Sequence, residues 1–420
     1  VRSNCVNSIP FCEKKEKEMK KDETVFSGRK NRRSFLKNGM VAAGAMTSGV
    51  GLISAPGAFA DGDDRAPITK GDIAILTFLS ALEQVEADLW IQYAELGGPT
   101  DQVPGTQGLS PTDLVQNGKK IVTGLAPAYI TGLFQLDGDM PQYIADNTDD
   151  EISHHAFLNN YLESKGAKTV DLSSFAILPP SRVSGVPQHG RLTNLKQLTV
   201  DTTWWTRYRS DSQNPDLGGT FENAVPDLAK GQHPAIPVSD DDLVLDSSGN
   251  ISNHLQAIAN TAGFHFAFVE QGGTSLYPSL AQRVTNLEVL RVLLSIGPSE
   301  AMHFQTWQDK AGNAPNITDG DLTFPNLNAG VDPKTGASGP AVADLFQTNL
   351  IMPEPTIFLN RRLGPVSIVR PTETRLAATG AVQGFVDDGL FLDPATGRNS
   401  GIVAKLMRLA EEADDARRRF

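Results

Sequence analysis

Apolar positions recur at helical spacing in four segments of the chain, and each stripe contains carboxylates. In the first, Leu79, Leu82, Glu86, Leu89, Tyr93 and Leu96 advance by steps of 3, 4, 3, 4 and 3, and Gly97-Gly98-Pro99 follows as a stop. The second opens at Asp139, an expected N-cap before Pro141, and runs to Gly166 with Ile144, Glu151, His154, Leu158 and Leu162 on one face. The third aligns Leu255, Ala259, Ala262, Phe266 and Glu270; the fourth aligns Val289, Leu293, Ile296, Glu300, His303 and Trp307. Two breakers interrupt the second half. Gln271-Gly272-Gly273 directly after Glu270 is a place for the third helix to end, and Gly297-Pro298 is expected to kink the fourth one turn before Glu300.

An ionised carboxylate in the middle of an apolar stripe costs several kcal/mol unless it is paired or binds a cation. Here the exceptions come as a repeated pattern. Glu86 has Tyr93 seven residues on and is followed by Glu151 with His154; Glu270 has Tyr277 seven residues on and is followed by Glu300 with His303. Residues three apart share a helix face, so each Glu-x-x-His pair aims a carboxylate and an imidazole the same way. Four carboxylates and two imidazoles on four helices form the ligand set of a dimetal centre inside a four-helix bundle. The candidate ligands are therefore Glu86, Glu151, His154, Glu270, Glu300 and His303. Glu83, one turn before Glu86, is the competing first ligand; Glu86 is preferred because it keeps the tyrosine at plus seven in both halves.

The rest of the chain changes this picture mainly at its ends. Residues 1–60 contain a basic segment ending in Asn31-Arg32-Arg33-Ser34-Phe35-Leu36-Lys37, a weakly apolar Gly/Ala-rich run and Ala58-Phe59-Ala60. They resemble a twin-arginine export signal, which places the mature protein in the periplasm or outside the cell. Without those residues, 11 basic and 5 acidic side chains leave the totals of 37 and 49, and the formal charge becomes −18. So acidic a chain is not expected to bind nucleic acid or, once the signal is removed, a membrane surface. Cys5 and Cys12 leave as well, which excludes disulfides, thiolate ligands and cysteine nucleophiles and suits iron, manganese or zinc.

The expected division is a signal over 1–60, two bundle helices and a covering amphipathic stretch (Leu114 to Leu136) within 61–166, an insertion over 167–250, the second helix pair over 251–311, and an extension over 312–420. The insertion contains Thr202-Thr203-Trp204-Trp205-Thr206-Arg207-Tyr208-Arg209, read as aromatic packing onto the bundle. The extension is loop-rich and ends in a polar, charge-paired helix from Gly401. His189, His233 and His254 read as surface groups; His155 and His265 neighbour the site helices.

The order Glu-x6-Tyr, Glu-x-x-His, Glu-x6-Tyr, Glu-x-x-His resembles the ferritin-like superfamily. More narrowly, Leu82 to Trp90 and Asp150 to Leu158 are similar to its secreted branch that includes desiccation-related proteins. The resemblance covers about residues 70–165 and 251–311. It implies an all-α, antiparallel four-helix bundle with a long irregular insertion between helices 2 and 3 and a loop-rich C-terminal extension. It implies further that Glu86 and Glu270 are terminal ligands, Glu151 and Glu300 bridge two iron or manganese ions, and His154 and His303 hold one ion each. Tyr93 and Tyr277 would then donate hydrogen bonds to the ligand carboxylates. The expected chemistry is redox with O2 or peroxide as small-molecule oxidant, ferroxidase, oxidase or catalase-like, in a chain that can oligomerise. The competing function is a non-catalytic stress-related envelope protein whose metal is structural or absent.

Overall fold

A computed structural model describes residues 67–103, 114–207, 220–327 and 375–419. The export-signal expectation and Tyr208 and Arg209 of the aromatic cluster lie outside these residues. Four long helices form the bundle: α1 (Lys70–Gly97), α3 (Met140–Ser164), α5 (Asn253–Ala281) and α6 (Leu287–Ala311), with the short α2 (Pro127–Leu133) between the first two. α1 packs along α3 and α5 along α6, so each half of the sequence repeat is one helix pair. None of the described helices is long and apolar enough to cross a membrane.

Local chemistry sets the helix ends. Thr69 and Asp72 form a reciprocal capping box at the start of α1, the Asp72 amide donating to Thr69 Oγ1 and the Thr69 amide to Asp72 Oδ2. The other oxygen of Asp72 accepts from the Thr285 amide at 2.8 Å, which ties the α5–α6 turn to the same cap. Ser252 caps α5 and Asn286 caps α6 through their side chains, whereas Asp139 precedes α3 without a side-chain cap bond.

Neither breaker breaks its helix. α5 continues through Gly272-Gly273 and Pro278 to Ala281, and α6 runs unbroken across Gly297-Pro298. The glycines serve close approach between helices instead. A Cβ on Gly297 would lie 2.8 Å from Tyr277 Cβ, and one on Gly273 would lie 2.8 Å from Glu300 Oε2. Burial of both helices against each other outweighs their weak local propensity.

The insertion is largely irregular, with the short α4 (Thr203–Arg207) presenting Trp204 and Trp205 to the bundle. Trp204 is fully buried, its ring 6.0 Å from those of Phe264 and Phe304, so the cluster packs the insertion down as expected. The covering stretch resolves into a small hairpin (Val115–Gln116 with Lys119–Lys120) and α2.

Two expectations for the far end need correction. The final helix α8 (Ile402–Asp414) carries one exposed pair, Arg408–Glu412, but buries Ile402, Leu406, Leu409 and Ala413 against α1 and α7 (Ala377–Asp388). It is amphipathic and part of the core, because its apolar residues recur at three- and four-residue spacing. His233, expected at the surface, is 8% exposed and its Nε2 lies 3.2 Å from the Asp227 carbonyl.

Candidate metal centre

Two groups of ligand atoms converge between the helix pairs. One comprises Glu83, Glu151, His154 and Glu300; the other comprises Glu151, Glu270, Glu300 and His303, with the ligand atoms of each group within 4.8 Å of one another. Glu151 and Glu300 belong to both. Glu151 presents Oε2 to His154 Nδ1 at 3.1 Å and Oε1 to His303 Nδ1 at 3.2 Å. Glu300 presents Oε1 to His154 Nδ1 at 3.2 Å and Oε2 to His303 Nδ1 at 3.9 Å. The lone carboxylates complete one group each: Glu83 Oε2 is 3.2 Å from His154 Nδ1, and Glu270 Oε2 is 3.2 Å from His303 Nδ1.

Glu86, the preferred first ligand from the sequence, is in neither group. It is buried, but it sits beside Leu82, Gly272, Gly273 and Leu276 on the wall of a cavity of about 200 Å³. The seven-residue spacing to an aromatic donor recurs in both halves, but in the first half it starts from Glu83. Glu83 is followed seven residues later by Trp90, and Glu270 by Tyr277. Each aromatic donor reaches across to the other half: Trp90 Nε1 donates to Glu270 Oε1 at 3.0 Å, and the Tyr277 hydroxyl donates to Glu83 Oε1. The expectation that Tyr93 donates to a ligand carboxylate also fails, since its hydroxyl is bonded to His265 Nδ1 at 2.7 Å. Trp90 was legible as the partner had an indole N–H been counted as equivalent to a phenol.

The same exchange orients the imidazoles. The residue before each shared glutamate contacts the histidine of the opposite half: Asp150 Oδ2 lies 3.2 Å from His303 Nε2, and Ser299 Oγ lies 3.2 Å from His154 Nε2. Ser299 spends its own hydrogen on the Ile296 carbonyl, so it accepts from His154, and Asp150 as a carboxylate accepts from His303. Each ring donates from Nε2 to this outer partner and turns Nδ1 toward the carboxylate oxygens, to which it donates as an imidazolium and where a bound metal ion would take the place of that proton. Asn147 adds two bonds on the His303 side, donating to Glu151 Oε1 at 2.9 Å and Glu270 Oε1 at 3.0 Å while accepting from Trp307 Nε1.

The electrostatics ask for cations. Glu83 is 2% exposed, and Glu151, Glu270 and Glu300 are completely buried. Among the described residues no Lys or Arg side chain pairs with any of them, and neither oxygen of Glu300 has a hydrogen-bond partner. Burial, then the charge of Glu300, pushes the Glu151 carboxyl up to about 7; burial, then the charge of Glu83, pushes Glu300 up to about 8. Burial also raises Glu270. Burial opposes charge on His154 and His303, but the surrounding carboxylates win and hold both well above the usual imidazole range. A metal ion could supply the missing positive charge without protonating the cluster, and its donors here would be oxygen and nitrogen alone.

A family model described as a ferritin-like domain matches residues 71–313, which takes in all the converging ligands. No curated protein and no solved structure matches the chain.

Proposed function

The chain belongs to the ferritin-like domain family, and on that footing we propose that its buried cluster holds two iron or manganese ions for redox chemistry with O2 or peroxide. One observation carries this reading: Glu151 and Glu300 each turn one oxygen to the His154 group and the other to the His303 group. Two shared carboxylates between two imidazoles match a pair of cations better than a single one. The assigned ligands are Glu83, Glu151, His154, Glu270, Glu300 and His303, with Glu83 in place of Glu86.

When bound, the ions would supply one-electron redox steps and Lewis acidity toward a small oxidant. The protein's own part is to hold and screen them. Glu83 and Glu270 are kept in place by Tyr277 and Trp90, and His154 and His303 by Ser299 and Asp150. The stacked rings of Trp90, Phe266 and Trp307 exclude water from the Glu270 side. We further propose that residues 1–60 direct export, so that the protein works in the periplasm or outside the cell, without a nucleic-acid or membrane partner.

Metal analysis after anaerobic reconstitution tests the reading. About two equivalents of iron or manganese per chain are expected; less than one removes it. Oxygen evolution from peroxide then separates a catalase-like activity from oxidase chemistry. In the competing, non-catalytic reading the same hydrogen-bonded cluster serves only to staple the helix pairs. A double replacement of Glu151 and His154 by apolar residues that leaves the cellular phenotype intact would favour it, whereas loss of metal together with an activity would favour the redox reading.

A further inference from the structure

The cavity of about 200 Å³ that Glu86 lines is enclosed by α1, α5, the insertion and α7. Leu82, Leu276 and Phe385 make its wall apolar, while Glu86, Asp201 and Arg207 bring charge to it. Because α7 lies beyond the matched domain, the cavity exists only where the C-terminal extension folds back on the bundle.

The helix that closes it is kept small on that side. Ala377, Gly380, Ala381 and Gly384 all line the cavity, at the i, i+3, i+4 and i+7 spacing of one helix face. Gly273 and Gly297 are explained by close approach, but these glycines are not. A Cβ on Gly272 or Gly380 meets nothing within 4 Å, and one on Gly384 meets only Phe268 Cζ at 4.0 Å. Glycine inside a helix is destabilising relative to alanine, and no packing constraint offsets that cost here, so the effect of these residues is to leave volume open.

Into this volume faces a carboxyl with no partner. Glu86 is 3% exposed, and among the described residues no hydrogen bond or ion pair reaches it. Asp201, by contrast, accepts from the Thr203 amide at 2.8 Å and from its hydroxyl at 2.9 Å. Burial, then the charges of Glu83 and Glu151, hold the Glu86 carboxyl well above the usual range, as expected of an acid without a counter-ion. Such a group is costly unless a cation or a donor meets it. A metal ion is a poor match, since Glu86 belongs to neither group of ligand atoms and stands in a mainly apolar wall. The cavity lining sets two carboxyls against one guanidinium, which leaves it one positive charge short.

We propose that this cavity binds a small organic ammonium, a primary amine whose apolar body packs beside Leu276 and Phe385 and whose nitrogen donates to Glu86. The inference goes beyond the metal reading and does not rest on it. A cavity of about 150 Å³ accepts a benzene ring, so the space here suits one ring, or an alkyl chain of similar bulk, carrying an aminomethyl group. An ammonium meeting the carboxylate and a free amine meeting the acid give a complex of the same composition, so the pairing does not depend on which partner brings the proton.

Isothermal titration calorimetry of the full chain, metal-free and loaded with iron or manganese, tests this with benzylamine as probe and benzyl alcohol as its uncharged analogue. One benzylamine per chain is expected, with benzyl alcohol at least about tenfold weaker. Glu86→Gln should weaken benzylamine at least about tenfold at unchanged metal content. Gly384→Leu, which puts a side chain into the cavity and a better helix former into α7, should abolish binding. If Glu86→Gln does not fold, the alcohol comparison and Gly384→Leu still decide the matter. The proposal is overturned by an absence of benzylamine binding in either form, by equal affinity for the alcohol, or by unchanged benzylamine affinity in Glu86→Gln or Gly384→Leu.

Discussion

The phenol of Tyr277 donates its hydrogen bond to Glu83, a carboxylate 194 positions earlier in the chain and on the opposite helix pair. Trp90 returns the contact to Glu270. Each lone glutamate is therefore held by a donor from the other half. Tyr277→Phe should raise the metal dissociation constant about 10- to 100-fold and destabilise the metal-free protein by about 1–3 kcal/mol, because a buried acceptor is left unsatisfied. Metal titration and urea unfolding measure both. Tyr93→Phe, whose phenol touches no ligand, should leave metal affinity unchanged.

Glu83 and Glu86 are separated by one helical turn and by their expected fates. Glu83→Gln should lower the metal stoichiometry or affinity sharply. Glu86→Gln should retain full stoichiometry, since its carboxyl lies on the wall of the neighbouring cavity and in neither ligand group. Equal losses in the two variants would return Glu86 to the ligand set.

Adjacent glycines should respond with opposite signs. A Cβ on Gly272 meets nothing within 4 Å, so Gly272→Ala is expected to stabilise α5 by about 0.5–1 kcal/mol. A Cβ on Gly273 would stand 2.8 Å from Glu300 Oε2, so Gly273→Ala should displace that carboxylate and weaken metal binding while the helix persists. Circular dichroism with metal titration distinguishes the two.

The metal-free protein should lose stability as pH rises. Glu151 and Glu300 are raised to about 7 and about 8 against an ordinary value of 4.5, and His154 and His303 are raised as well. A folded-state pKa above the unfolded one contributes stability that is complete below the unfolded value and disappears as pH passes the folded value. The loss should therefore spread from about pH 5 to above pH 8, with Glu83, whose pKa is lowered by His154 against the effect of burial, giving a smaller change of opposite sign at the acid end. Denaturation midpoints across this range should fall for the metal-free form and stay flatter once iron or manganese is bound.

Helix identity and the two Glu-x-x-His pairs were readable because both depend on spacing within one segment. Burial of a carboxylate inside an apolar stripe was readable for the same reason. The choice between Glu83 and Glu86 was not. Residues three apart differ by about 60° around the axis and about 4.5 Å along it, and both face inward on a helix buried nearly all round. Only the rotation at which α1 docks on α3 decides which one meets His154.

Sequence alone determined that this is a helical protein with acidic and imidazole groups embedded in its apolar faces, since periodicity and residue chemistry are local properties. Tertiary structure decided which groups meet. It turned two apparent helix breakers into points of close approach, gave Trp90 the role expected of Tyr93, and brought Asp388 from the C-terminal extension to His265. Those outcomes depend on the relative rotation and separation of helices far apart in the chain, quantities set by packing of the whole core and carried by no single segment.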